Sequence, residues 1–218
     1  MVLTDFKDTF AVIDQVVDGY NGWSNAVVGL GNTDMVISDR IVVNNDTSNE
    51  RYAIQTTAAN RPTTHKQEVS AGLGTGAATG ANQKIGIGCY GAAGPLFFGY
   101  RASVDFSAAQ RVLSLHRDSL ASPVDITMTS LVTTNVTPIT GDASVDTGIV
   151  QSLRMRVVQR DDGFLIRVYF NNDNMSNPDL EYLDPRDDPM LGLSPATTFG
   201  EFFMWTDIGS AAKSLFFT

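Results

Sequence analysis

The fold is decided by the stretch SLRMRVVQRDDGFLIRVYF, residues 152–170, in which apolar and polar residues alternate on both sides of Asp162-Gly163. Alternation with a period of two is typical of a half-buried β-strand, and Asp-Gly between two such runs favours a β-hairpin. A two-residue turn there predicts that Met155 faces Phe170, with Val157 facing Val168 and Gln159 facing Ile166. The opposite face then carries Arg154, Arg156, Val158, Arg160, Leu165, Arg167 and Tyr169. The hairpin therefore specifies its own pairing, because one register gathers the apolar residues.

The rest of the chain repeats short β-rich runs between clusters of Ser, Thr, Asn, Asp and Gly, and sustained helical spacing is almost absent. Long loops are expected at residues 72–80 and 133–147. We predict strands at residues 10–14, 34–44 with a bend at 38–39, 51–56, 65–73, 83–90, 97–106, 110–116, 124–131, 200–205 and 213–217. About a dozen strands without crossover helices predict antiparallel sheets stacked as a sandwich or jelly roll, in one domain spanning residues 1–218.

Composition narrows the function. The chain has 218 residues, a net charge of −9 and only one cysteine, Cys89, in an apolar, Gly-rich run. An acidic chain without Lys/Arg clusters is expected to bind nucleic acid and anionic membranes poorly. No apolar run reaches the ~20 residues of a membrane span. Cys89 is expected to be a core residue, since a reactive thiol needs an electropositive setting. The opening MVLTDFKDTF lacks the features of a signal peptide, so synthesis in a host cytoplasm is expected.

Four segments, taken in order, resemble a known family. They are residues 5–10 (DFKDTF), Trp23 with residues 36–42 (VISDRIV), the hairpin at 152–170, and residues 184–193 before a terminal aromatic strand. Together they resemble the concanavalin A-like jelly roll, in its laminin-G-like branch as found in phage and bacterial proteins. Residues 61–146 carry none of the likeness. The resemblance implies that the first and last strands are neighbours, and the Phe-rich ends of the chain fit termini that lie in one sheet.

The glucanase branch of this superfamily uses a Glu-x-Asp-x-Glu strand, because its acid/base chemistry needs paired carboxylates roughly 5–10 Å apart. This chain has four glutamates, at positions 50, 68, 181 and 201, and no two are near in sequence. We therefore expect no enzymatic activity and no catalytic residue. The run Gly86-Ile-Gly88-Cys-Tyr-Gly91 matches a dinucleotide fingerprint only in letters, since no helix pattern follows; a bulge or close backbone approach is favoured.

Oxygen-rich residues after the hairpin form the candidate ligand site. Asn171, Asn172, Asp173 and Asn174, together with Trp23, are predicted to bind a sugar, and Asp184, Asp187 and Asp188 are candidate metal ligands. Calcium prefers such oxygen ligands and is the one candidate cofactor. The alternative is turn chemistry, in which Asn and Asp side chains cap the backbone between prolines. Trp23, Tyr20, Tyr52, Tyr100 and Trp205 could similarly line a sugar platform or belong to the core.

Arg154, Arg156, Arg160 and Arg167 share one face of the hairpin in an acidic protein. They are predicted either to dock a partner or to pair internally with nearby aspartates and stack on Tyr169. Two functions stay open. The first is a non-catalytic structural protein of a phage virion, such as a capsid decoration, head-fibre or tail component, which forms a homo-oligomer and contacts other virion proteins. The alternative is a carbohydrate-binding module or lectin that recognises surface glycans.

Overall fold

The computed structural model of the protein describes residues 8–10, 15–27, 35–38, 41–44, 50–55, 66–75, 83–91, 98–106, 111–122, 125–136, 150–185, 201–208 and 215–217. In these ranges the regular structure is all β-strand, apart from one short 3-10 turn at Tyr20–Gly22. The predicted all-β class is therefore confirmed. None of the helical structure in these ranges is long and apolar enough to cross a membrane.

One sheet has eight strands among the described residues, and the hairpin lies near one edge of it. In spatial order the strands are β1 (Gln15–Val16), β3 (Val36–Ser38), β4 (Ile41–Asn44), β15 (Leu215–Phe217), β6 (Lys66–Thr75), β11 (Gln151–Arg160), β12 (Gly163–Phe170) and β13 (Leu180–Pro185). The first and last described strands, β1 and β15, share this sheet, but the expectation that they are neighbours is wrong, because β3 and β4 lie between them.

The second sheet has seven strands among the described residues. Their order is β10 (Asp125–Val136), β9 (Arg111–Ser122), β8 (Phe98–Asp105), β7 (Gln83–Gly91), β14 (Glu201–Ile208), β5 (Glu50–Gln55) and β2 (Trp23–Val27). The strand pairs of both sheets are antiparallel. The protein is thus the expected two-sheet antiparallel sandwich.

The core fills the space between the sheets with every second residue of each strand. On β11 the buried residues are Leu153, Met155 and Val157, while the residues between them are partly exposed. On the opposing sheet β8 contributes Ala102 and Val104 in the same alternation. Each buried Leu, Met or Val side chain among them contributes about 1.5–3 kcal/mol when it is withdrawn from water. Cys89 also lies in this core, as its apolar surroundings predicted.

The hairpin forms, but the predicted register is wrong by two residues. Arg160 pairs with Gly163, so the turn is Asp161-Asp162 rather than Asp162-Gly163. A shift of two keeps every side chain on its predicted face, because the side-chain period of a strand is also two. The observed core-side pairs are Leu153 with Phe170, Met155 with Val168, Val157 with Ile166 and Gln159 with Phe164.

Gly163 is needed by the neighbouring strand rather than by the turn. Neither Asp161 nor Asp162 has a positive φ, so the turn is not the type I′ turn that Asp-Gly favours. Gly163 has φ +147° and lies against β13, where a Cβ atom would overlap the backbone oxygen of Asp184. The glycine therefore permits the close approach of β12 and β13.

Several predicted boundaries also change. Strands β1, β2 and β13 lie outside the predicted strands. The loop predicted at 72–80 is wrong at its start, since β6 continues to Thr75, and the one at 133–147 is wrong at 133–136, which extend β10. The remainder of both loops lies outside the described residues. The bend predicted within 34–44 is consistent with the separate strands β3 and β4.

Candidate functional site

A row of four charged side chains crosses the outer face of the eight-stranded sheet. The strand registers place Glu68 of β6 opposite Arg156 of β11, Arg156 opposite Arg167 of β12, and Arg167 opposite Glu181 of β13. The Nε of Arg156 donates to Glu68 at 2.7 Å, and the Nε of Arg167 donates to Glu181 at 2.6 Å. The hydrogen bond to Glu181 also raises the pKa of Arg167 above its usual range. The two central guanidiniums therefore lie side by side, each held from outside by a glutamate.

Arg154, two residues before Arg156 on the same face of β11, joins the hairpin to the loop that follows it. The Nη2 of Arg154 lies 3.3 Å from Oδ1 of Asp173 and 3.4 Å from the backbone oxygen of Asn172. Its guanidinium carbon lies 5.6 Å from the ring centroid of Tyr169. The structure thus brings together Arg154 and the oxygen-rich run, which the sequence offered as two separate candidates. We call residues 171–179 the rim loop.

The rim loop is shaped by its own amide and carboxylate groups. The backbone N–H groups of Asn174 and Ser176 donate to the side-chain oxygens of Asn172 and Asn174 at 2.9 and 3.1 Å. The Nδ2 of Asn172 donates to the backbone oxygen of Asn177 at 2.8 Å, and Asp179 accepts the backbone N–H of Phe170 at 2.8 Å. These are the turn contacts that Asn and Asp are expected to make, so the turn-chemistry alternative is confirmed.

The start of the rim loop is fixed to the neighbouring strand. Asn171 has φ +52°, a conformation that asparagine tolerates better than most residues. Its Oδ1 accepts the backbone N–H of Ser152 at 2.7 Å, and its Nδ2 donates to Gln151. Beyond this anchor Asp173, Asn174, Ser176 and Asn177 are exposed. The rim loop therefore presents polar side chains to solvent on a backbone held by hydrogen bonds.

The fourth arginine of the predicted set lies at the opposite end of the hairpin. Arg160 is half exposed and its Nε lies 3.4 Å from Asp162 in the turn. All four arginines of the set thus have an acidic partner, two aspartates and two glutamates. Internal pairing with aspartates is confirmed for Arg154 and Arg160, and Arg154 also lies over Tyr169, whereas Arg156 and Arg167 pair with glutamates. Partner docking by these residues stays a prediction.

Asp184 has a structural partner, which corrects its interpretation as a metal ligand. Its carboxylate lies between the sheets, fully buried, and accepts from Nε of Arg117 at 3.1 Å and from the hydroxyl of Tyr100 at 2.5 Å. Arg117 Nη2 also donates to its second oxygen. A cation at this carboxylate would compete with the guanidinium. Asp187 and Asp188 lie outside the described residues, within which no three metal-ligating side chains cluster.

Trp23 is a core residue rather than an exposed sugar platform. It is buried, its ring centroid lies 5.8 Å from that of Phe10, and its Nε1 donates to Asp8 at 2.9 Å. Tyr100 is buried as well, and Tyr20 packs partly against the core. Trp23 also belongs to the other sheet from Asn171, Asn172, Asp173 and Asn174, so it does not extend the rim loop into one surface.

A second polar cluster lies on the face of the seven-stranded sheet that points away from the core, and the sequence did not predict it. Arg101 of β8 and Trp205 of β14 are both buried there, with the guanidinium carbon 3.5 Å from the indole centroid. Gly86 and Gly88 lie opposite Trp205 and Phe203, and a Cβ on Gly88 would overlap the Phe203 ring. In the sequence, the pair Gly86 and Gly88 was the signal that could have revealed this cluster. Its interpretation as a close approach is confirmed.

Burial dominates the electrostatics of this cluster. It lowers the pKa of His116 to about 3, with Arg101 and Lys84 acting in the same direction. Burial likewise raises the pKa of Asp207; Lys84, at 3.8 Å, opposes that shift, and nearby Asp105 adds to it. Because Arg101 covers one face of Trp205 and both are buried, the indole offers no open ring for sugar stacking. The Arg101–Trp205 contact is thus buried, while the side chains of Lys84 and Asp207 reach solvent.

Comparison with solved structures defines the architecture. A β-1,3-glucanase from Mycobacterium marinum superposes with a TM-score of 0.51 at 9% identity, over 100% of this chain and 97% of that one. An uncharacterised protein from Mycobacterium paratuberculosis gives 0.51 at 10% identity, over 97% and 96%. A carbohydrate-binding module from Bacillus subtilis gives 0.47 at 9% identity, over 91% and 93%.

The fold is therefore the concanavalin A-like jelly roll that the sequence motifs predicted. No protein-family model matches the chain, and no curated protein matches it.

Proposed function

We propose that this protein binds glycans without cleaving them, through the rim loop and the adjoining outer face of the eight-stranded sheet. The observation that carries the proposal is the exposed set Asp173, Asn174, Ser176 and Asn177 on a backbone already held by side-chain hydrogen bonds. Such a loop binds sugar hydroxyls with little loss of conformational entropy, because its shape does not have to form on binding. The shared fold supports the proposal, since one protein with this architecture is named a β-1,3-glucanase.

The absence of catalysis is part of the proposal. Glycoside hydrolysis requires two carboxyl groups that flank the scissile bond, one of which moves a proton. On the proposed binding face Glu68 and Glu181 each accept a hydrogen bond from an arginine, so both carboxylates already have a partner within the sheet. They also stand at opposite ends of a four-strand row, about 14 Å apart at the spacing of neighbouring strands.

The virion role remains a separate prediction. No observation on the described residues bears on a phage particle, on a homo-oligomer or on contacts with other virion proteins, and the comparisons fit the glycan-binding alternative better. The two functions are compatible, because a particle protein can also bind a surface glycan. The location of the protein in a virion likewise stays a prediction.

The test uses two aspartates of the same hairpin region, each of which pairs with an arginine at a similar distance. Asp173 and Asp162 are both exposed and lie 3.3 and 3.4 Å from Arg154 and Arg160. Binding is measured on a glycan microarray and by affinity electrophoresis in soluble β-1,3-glucan. We expect Asp173→Ala to weaken binding to the glycans retained by the wild type about tenfold, and Asp162→Ala to change it less than twofold.

A second variant, Asn177→Ala, removes an exposed amide while leaving the backbone contacts of the rim loop in place, and should also weaken binding. Incubation of each retained glycan with the protein should release no reducing ends. A wild-type protein that retains no glycan, or equal losses in Asp173→Ala and Asp162→Ala, would overturn the proposal. Release of reducing ends would overturn its non-catalytic part.

A further inference from the structure

Two arginines face each other across a strand pair, an arrangement that the stability of the sheet does not explain. Arg156 and Arg167 are direct partners in the β11–β12 register, where side chains have Cβ atoms about 4.5–5.5 Å apart. Like charges in this position destabilise a sheet. Glu68 lies directly opposite Arg156 and Glu181 directly opposite Arg167, which offsets that cost but does not require the two arginines to be neighbours.

The hydrogen bonds of Arg156 and Arg167 leave the terminal nitrogens of both guanidiniums available to bind an anion. Each guanidinium uses only its Nε toward its glutamate, and the terminal nitrogens of both have no hydrogen-bond partner among the described residues. The side chains are 22% and 35% exposed, so water and solutes reach them. A guanidinium presents a rigid fork of donors that matches the oxygens of a carboxylate or sulfate. Two adjacent forks can hold one anion between them.

We propose that Arg156 and Arg167 form a clamp for an anionic group, carboxylate or sulfate, on the glycan bound by the rim loop. This inference rests on the proposed function and names its ligand class as acidic glycans. Arg154 precedes Arg156 by two residues on the same face of β11, about 7 Å along the strand, and contacts Asp173 of the rim loop. The clamp and the rim loop are thus adjacent parts of one surface, long enough to meet neighbouring sugars.

The net charge of the chain limits the attraction between the clamp and an acidic glycan to direct contact. At a net charge of −9 the protein repels anionic polymers at a distance. Beyond about 8 Å that repulsion is screened at physiological ionic strength, whereas contact with two guanidiniums is not. Binding to an acidic glycan should therefore depend on these two arginines individually rather than on the total positive charge of the protein.

The experiment compares oligogalacturonate, a sulfated oligosaccharide of similar length, and a neutral gluco-oligosaccharide by isothermal titration calorimetry. The variants are Arg156→Gln and Arg167→Gln, with Arg160→Gln as the control, since it removes the same charge from the same face of the hairpin. We expect each clamp variant to weaken binding to an acidic ligand at least about tenfold, and the control less than twofold. Preference for oligogalacturonate or the sulfated ligand identifies the anion.

A gain-of-binding variant tests the geometry directly. In Glu68→Gln/Glu181→Gln the arginines no longer share their charge with carboxylates, so acidic ligands should bind several-fold more tightly; the turn variant Asp161→Asn/Asp162→Asn makes the same change in net charge and should have no such effect. NMR of the arginine Nε–H groups in the wild type should show shifts at Arg156 and Arg167 on titration, without any substitution.

The outcomes separate the two proposals. If the neutral ligand binds as tightly as the acidic ones, or if Arg160→Gln loses as much affinity as Arg156→Gln, the clamp is overturned while glycan binding by the rim loop stands. If none of the three ligands binds and the microarray retains none, the proposed function itself fails. Unshifted Arg156 and Arg167 resonances at saturation with an acidic ligand would also overturn the clamp.

Discussion

The ion pair between the sheets is the contact whose loss should cost the protein most. Arg117 and Tyr100 are register partners on β9 and β8, and both donate to Asp184 on β13 of the other sheet. The Arg117 and Asp184 side chains are only 6% and 0% exposed. In Asp184→Asn the buried guanidinium loses the carboxylate that compensates its charge, which costs about 3–5 kcal/mol. A typical domain has only about 5–15 kcal/mol in total, so the variant should be marginally stable.

Equilibrium unfolding in urea, followed by tryptophan fluorescence and circular dichroism, measures this loss. With a slope of about 2 kcal/mol per molar urea, Asp184→Asn should lower the midpoint by about 1.5–2.5 M. The triple variant Tyr100→Phe/Arg117→Met/Asp184→Leu removes all three polar groups together. Because it leaves neither a buried charge nor an unpaired hydroxyl, it should come within about 2 kcal/mol of the wild type. A loss below about 1 kcal/mol in Asp184→Asn, or additive losses in the triple variant, would refute the buried ion pair.

Three further predictions concern single positions. Gly163→Ala should destabilise the protein by more than 1 kcal/mol in urea unfolding, because its φ and its contact with β13 both disfavour a Cβ; a neutral effect would contradict the close approach. The folded-state pKa of His116, about 3, lies below the unfolded value of about 6.5, so its contribution is complete above pH 6.5 and is lost as pH falls toward 3. His116→Gln should therefore flatten the loss of thermal stability between pH 6.5 and 4, and an unchanged pH profile would argue against it. Burial raises the pKa of the Cys89 thiol, so it should react with Ellman's reagent only after unfolding, and rapid labelling of the native protein would contradict its place in the core.

The sequence predicts which face a residue occupies better than it predicts what the residue touches. Alternation placed Arg154, Arg156, Arg160 and Arg167 on one face correctly, since an error of two residues in register leaves the faces unchanged. The predicted turn was wrong because Gly163 is required by its contact with β13, a strand that the sequence did not predict. Local pattern carries no information on such a neighbour.

Long-range partners explain the errors at the candidate site. Asp184 lies among prolines and acidic residues, which suggested an exposed loop, but its partners are 67 and 84 residues away in sequence. Arg101 and Trp205 meet on the outer face of the seven-stranded sheet from strands about a hundred residues apart in the chain. By contrast, the turns within the rim loop were predictable, because the hydrogen bonds that shape them join residues two to seven positions apart.

Strand β13 links the stability of the sandwich to the proposed binding face. Its inward residue Asp184 is held by the other sheet, while its outward residue Glu181 holds Arg167 in the clamp. The rim loop enters this strand through Asp179, whose backbone and carboxylate bond to β12. Displacement of β13 would therefore loosen the rim loop and separate Glu181 from Arg167 together. Because the ion pair is buried and the clamp is not, the interior contact can maintain the position of β13 while the surface groups exchange partners with a ligand.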